Sequence, residues 1–140
     1  MGIFSRLRLW WRRGWARPHF WLGQAHCYRG NATGDLRAYQ RAVASYARAL
    51  KWDPTWTEVC LERGVLFWRE LHIPRQAVAE LSEALRLDPQ LYGALFNRGV
   101  AYQQLREYER AVADFRAYLE VGEDPYWREY AAKMVEVLGD

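Results

Sequence analysis

Ala84-Leu85-Arg86-Leu87-Asp88-Pro89 is the second appearance of an ending first met as Ala49-Leu50-Lys51-Trp52-Asp53-Pro54. A looser copy follows, Tyr118-Leu119 with Asp124-Pro125. Ala49 to Ala84 is 35 residues and Ala84 to Tyr118 is 34. A period of this size predicts an all-α fold, an α-solenoid of stacked helix-turn-helix units, rather than a fold built around one buried catalytic site.

Other positions keep the same step. Gly64 and Gly99 are 35 residues apart, and Tyr39 and Tyr108 each precede an alanine, Ala42 and Ala111, by three. Ala77 fills the alanine slot between them. Apolar residues then recur at steps of three and four: Ala42, Val43, Tyr46, Ala49, Leu50, with counterparts Ala77, Val78, Leu81, Ala84, Leu85 and Ala111, Val112, Phe115, Tyr118, Leu119. Such spacing puts each set on one helix face. The glycines and alanines allow two helix backbones to approach closely, and the aromatic residues fill the space around them. Asp-Pro predicts a helix start at all three junctions, because Asp caps the free amides and Pro suits the first turn.

Asn97-Arg98-Gly99-Val100-Ala101-Tyr102, followed by Leu105, Tyr108, Ala111, Phe115 and Leu119, resembles the tetratricopeptide repeat family. Gly64, Phe67, Ala77, Leu81, Ala84 and Pro89 carry the same pattern one unit earlier, with one extra residue near His72-Ile73-Pro74. The resemblance implies three units, residues 18–56, 57–91 and 92–125, and a C-terminal capping helix at 126–140. Gly30-Asn31-Ala32-Thr33-Gly34 reads as a turn, so the first helix of unit one is placed earlier, at Pro18 to Arg29. In this family the first helix of each pair lines a concave groove that holds a peptide. The resemblance therefore assigns Leu61, Val65, Trp68, Arg69, Phe96, Asn97, Val100, Gln103 and Gln104 to a peptide-binding groove. One subgroup reads acidic chaperone tails. Its slots here hold Cys27, Glu62, Gly93 and Asn97, of which Asn97 alone fits, so that activity is not expected.

The net charge of +3 conceals an asymmetry. Residues 1–34 hold Arg6, Arg8, Arg12, Arg13, Arg17 and Arg29 with no acid, whereas the remainder holds 14 basic and 17 acidic residues. A basic head thus precedes a mildly acidic body. Residues 1–17 form an arm outside the repeats. Phe4, Leu7, Trp10, Trp11 and Trp15 fall on one helical face, with Arg12, Arg13 and Arg17 mostly elsewhere. The pattern suits an anionic membrane surface, a protein partner, a helix covering the exposed end of the first unit, or an occupant of the protein's own groove. A nucleic-acid partner is disfavoured, because the body is acidic and carries no recognised motif.

Cys27 and Cys60 are not closely spaced, which fits free thiols and a cytoplasmic setting. No apolar run is long enough to cross a bilayer, and arginines interrupt any signal-like core at the N-terminus. His19, His26 and His72 do not converge with the cysteines at metal spacing, so no metal and no cofactor are expected. No catalytic constellation is visible. The expectation is a non-enzymatic adaptor or assembly factor, with an arm peripheral to a membrane or membrane complex. The alternative is a structural subunit whose arm inserts into a neighbour.

Overall fold

A computed structural model of the protein describes residues 3–139, with side chains from Trp11 onward. Seven helices follow in order: α1 (Ile3–Thr33), α2 (Leu36–Trp52), α3 (Thr57–Arg69), α4 (Pro74–Leu87), α5 (Tyr92–Gln104), α6 (Tyr108–Val121) and α7 (Pro125–Leu138). Among the described residues there is no strand. Helices pair as α1 with α2, α3 with α4 and α5 with α6, and α7 packs on α6.

Each pair is locked by a glycine in its first helix. A methyl group at Gly23 would collide with the Tyr46 ring, at Gly64 with Leu81, and at Gly99 with the Phe115 ring. Tyr46, Leu81 and Phe115 occupy the same slot of the period, and all three are fully buried. Burial of side chains this large stabilises the fold by roughly 2–3 kcal/mol each. The contact also fixes the register of the first pair: the counterpart of Gly64 and Gly99 is Gly23.

Two expectations about unit one need correction. The first helix does not run from Pro18 to Arg29, and Gly30 to Gly34 is not a turn. α1 is continuous from Ile3 to Thr33, passing through both Pro18 and Gly30. Gly30 is a packing residue: a side chain there would strike the Tyr39 ring. Beside it, the Tyr39 hydroxyl donates to Asn31 Oδ1 at 3.0 Å. The chain reverses only at Gly34, whose φ of +68° suits glycine. Asp35 then caps α2 by accepting from Arg37 N at 2.9 Å. Residues 1–17 are therefore not a separate segment by secondary structure; from Ile3 onward they belong to the first repeat helix.

The Asp-Pro junctions also differ from expectation. Asp53 and Asp88 close α2 and α4, each amide bonding the carbonyl four residues back, of Ala49 and Ala84. Each then accepts an amide bond from three residues on, Trp56 or Leu91, forming a turn with Pro at its second position. The next helix starts only after that turn. At the third junction Gly122 takes the closing role, bonding Tyr118 O at 2.7 Å. That frees Asp124, two residues later, to cap α7 through Tyr126 N and Trp127 N at 2.9 and 3.2 Å. Only Asp124-Pro125 is a helix start.

A polar contact repeats with the period as well. Arg63 pairs with Glu80 at 2.6 Å, and Arg98 with Asp114 through two bonds at 2.7 and 2.8 Å. Asp114 is buried, and Arg98 also donates to Ser82 Oγ at 3.1 Å, tying α4, α5 and α6 together. In the first pair these slots hold Leu22 and Ser45.

Candidate functional site

α3, α5 and α7 enclose an open groove of about 870 Å³. Its floor is aromatic. Phe96 is buried and packs its ring edge-on against Phe115, Tyr118 and Tyr130 at 5.8, 5.2 and 5.6 Å, and tilted against Trp127 at 4.8 Å. Trp68 and Tyr92 complete the apolar lining. Tyr118 lies beneath, its hydroxyl pKa raised chiefly by burial and further by Asp124, with Arg128 opposing. Tyrosine and tryptophan supply large contact areas and rarely crowd an open surface without use.

The groove's polar groups are mostly committed. Asn97 Oδ1 accepts from Trp68 Nε1 at 3.0 Å, and its Nδ2 donates to Gly93 O at 2.7 Å. Gln103 accepts from the Tyr130 hydroxyl at 3.1 Å through Oε1, and its Nε2 meets Met134 Sδ at 3.4 Å. Arg69 bonds Glu70 at 2.6 Å.

Eight sequence-predicted groove residues come together here: Val65, Trp68, Arg69, Phe96, Asn97, Val100, Gln103 and Gln104. Leu61 does not; it lies under the groove, packed against Gly93. The wall contributed by α7 through Trp127 and Tyr130 was missed, because residues 126–140 were read only as a capping helix. Ala131 of α7 is buried in the core, whereas Trp127 and Tyr130 face the groove. Glu123 and Asp124, also missed as groove residues, reach the rim through the α6–α7 turn; the period placed Asp124 at a junction but not beside the groove.

The predicted arm residues form a second surface. The side chains of Phe4, Leu7 and Trp10 lie outside the described residues. Arg13 Nε donates to the buried carboxylate of Asp53 at 2.9 Å, and Trp15 stacks on Trp52 at 5.8 Å. Ala16, next to Trp15, is fully buried. Residues 13–16 are thus docked on the end of α2 and not in the groove, which corrects the expectation of an arm folded into its own groove. Phe20 extends this contact to Tyr46 and Trp56. On the other side of α1, Trp11 and Trp21 are 61% and 63% exposed, and Leu22 and Tyr28 are exposed as well. Arg12, Arg17 and Arg29 are exposed around them.

The Gly23 register explains that exposure. Five residues before the packing glycine stand Pro18, Val59 and Ala94; two after it stand Ala25, Leu66 and Ala101. Val59 and Leu66 are buried against the first pair, and Ala94 and Ala101 are buried in the core shared with α4. Pro18 and Ala25 are exposed. The outward face of α1 is the face that α3 and α5 turn toward the preceding pair.

No helix of the described residues is long and apolar enough to cross a membrane, and none of their His, Cys, Asp and Glu side chains form a group of three fit to hold a metal ion. Burial raises the pKa of both thiols, of Cys60 to about 11; Cys27 meets the Tyr46 hydroxyl at 3.5 Å.

Paired helices stacked around an open concave groove define a helical-repeat solenoid. The comparisons name this fold. The tetratricopeptide repeat model matches residues 92–123. The tetratricopeptide domain of Arabidopsis OM64 is similar, with 25% identity over 90% of this chain and 98% of that one, and a TM-score of 0.77. The first such domain of Spaghetti (RPAP3), bound to the HSP90 peptide SRMEEVD, is 20% identical over 91% and 96% of the two chains, with a TM-score of 0.78. The TPR2B domain of yeast Sti1, in complex with an Hsp70 peptide, is 19% identical over 89% and 95%, with a TM-score of 0.73. No curated protein matches the sequence. The chain has the tetratricopeptide repeat fold throughout and matches the family's sequence pattern across its third pair.

Proposed function

We propose that this protein is a non-catalytic adaptor or assembly factor that holds a peptide segment of a partner protein in the groove between α3, α5 and α7. The observation that carries the reading is the aromatic groove itself, whose volume suits a few bulky side chains of an extended or helical peptide. The peptide complexes of similar domains support it. Affinity capture from the native organism with wild-type protein and with Trp68→Ala/Trp127→Ala tests it. Partners retained by the wild type and lost from the variant are expected; an identical set from both overturns the groove assignment.

The outward face of α1 anchors this adaptor to an anionic membrane surface on the cytoplasmic side. Tryptophan favours the headgroup zone, and the flanking arginines meet lipid phosphates. Flotation with anionic vesicles is expected for the wild type and lost in Trp11→Glu/Trp21→Glu; wild-type protein that stays at the bottom of the gradient removes the membrane reading. A second reading, a structural subunit packed against a neighbouring helix, is favoured by Pro18 and Ala25 occupying positions that receive a helix elsewhere in the stack.

A further inference from the structure

We propose that the groove selects a basic peptide segment with a bulky apolar anchor and rejects acidic tails such as SRMEEVD, which the Spaghetti (RPAP3) domain holds. The inference rests on the peptide-groove reading above and concerns which chemistry that groove accepts.

The charged lining consists of Arg69, Glu123 and Asp124. Arg69, the one cation among them, is paired with Glu70 at 2.6 Å. Glu123 and Asp124 form no ion pair among the described residues; Asp124 Oδ1 is occupied in capping α7. The cation nearest to them in sequence, Arg128, is turned to the carbonyls of Leu119 and Gly122 at 2.6 and 2.7 Å. The rim at the α6–α7 turn is therefore acidic, and a carboxylate entering there meets like charge.

The central amides of the groove are already tied to neighbours. Both polar atoms of the Asn97 side chain are engaged with Trp68 and Gly93, and both of Gln103 with Tyr130 and Met134. Around them stand the faces of Trp68, Tyr92, Trp127 and Tyr130, with the carboxylates of Glu123 and Asp124 at one end. Aromatic faces attract a guanidinium or ammonium group, and adjacent carboxylates add to that attraction. A Lys or Arg side chain placed toward Glu123, next to a Trp, Phe or Leu lodged over Phe96, satisfies both halves of the lining.

Selection of a randomised twelve-residue display library on the immobilised full chain tests this. Winners enriched in Arg or Lys beside Trp, Phe or Leu are expected. Re-synthesised winners should bind Glu123→Lys on the order of fivefold more weakly and Glu123→Gln by an intermediate amount, as for a rim ion pair. Glu123 is exposed and caps no helix, and circular dichroism checks that both variants stay folded. Winners rich in Asp or Glu, or without charge preference, overturn the proposal while leaving the peptide groove standing. A selection that yields no binder overturns the groove reading itself.

Discussion

The first and third helix pairs share one packing device and differ in nearly everything around it. Gly23 receives Tyr46 as Gly99 receives Phe115. Around Gly99, Arg98 and Asp114 form a part-buried two-bonded ion pair, and Ala94 and Ala101 are covered by the preceding pair. Around Gly23, Leu22 and Ser45 stand in the ion-pair slots, and Pro18 and Ala25 face outward. α1 also runs on from Gly23 to Thr33, whereas α5 stops at Gln104, five residues past Gly99. The glycine contact therefore defines a repeat, whereas the ion pair and the covered flank belong to a repeat's place inside the stack.

The largest effect comes from exchanging those slots. Asp114→Ala leaves the Arg98 guanidinium partly buried without its partner, and a loss of about 3 kcal/mol is expected by urea denaturation. Giving the third pair the residues of the first, Arg98→Leu with Asp114→Ser, removes both charges at once and should cost less than half as much. A double variant as unstable as the single one would mean that the two pairs differ in more than this slot.

Glycines of α1 sharpen the same contrast with smaller effects. Gly30→Ala should destabilise by about 1–3 kcal/mol, because the methyl group overpacks the Tyr39 ring. Gly14→Ala meets nothing within 4 Å and should stabilise by about 0.5–1 kcal/mol through helix propensity alone. Thermal unfolding of the two variants should move in opposite directions. If Gly30→Ala also stabilises, the lock at Tyr39 is not closed.

The thiols give the mildest comparison. Burial raises the Cys60 pKa from the ordinary 9.0 to about 11, and Cys27 moves the same way while remaining half-buried. The unfolded chain ionises near pH 9 while folded Cys60 keeps its proton, so stability should fall as pH rises from about 9 to 11. Cys60→Ala should flatten that slope in denaturation series at pH 8 and pH 10.5. At pH 8 a thiol reagent should modify Cys27 well before Cys60, and both immediately on unfolding. Equal rates in the folded protein would mean that the second pair opens as readily as the first.

The parts of the fold legible in the sequence were those set by local period. The stripes from Ala42, Ala77 and Ala111 mark the buried faces of α2, α4 and α6, because a helix face recurs every three to four residues whatever packs on it. The glycine of the first pair was not legible. Gly30 stands one period before Gly64, yet Gly23 holds the equivalent contact, and only the Tyr46 ring against it separates the two. Asp-Pro misled for a related reason: the same dipeptide closes a helix at Asp53 and opens one at Asp124, and the two-residue displacement of the third copy is small beside the period. The α3 and α5 faces of the groove could be read forward from the repeat. The α7 wall and the acidic rim could not, since a helix read as a cap does not say which of its side chains meet core and which open space.

The helix contacts carry one consequence for how the molecule responds to ligands. Substantial packing runs between chain neighbours and between α3 and α5. Between the outward face of α1 and the groove lie the packed, buried faces of α1, α2 and α3. Ligands at the two surfaces should bind independently in affinity, and their cooperation should arise from tethering. A partner held at α1 raises the local concentration of any peptide that can reach the groove from it, so that linker length between the two epitopes, rather than a change of shape, sets the gain.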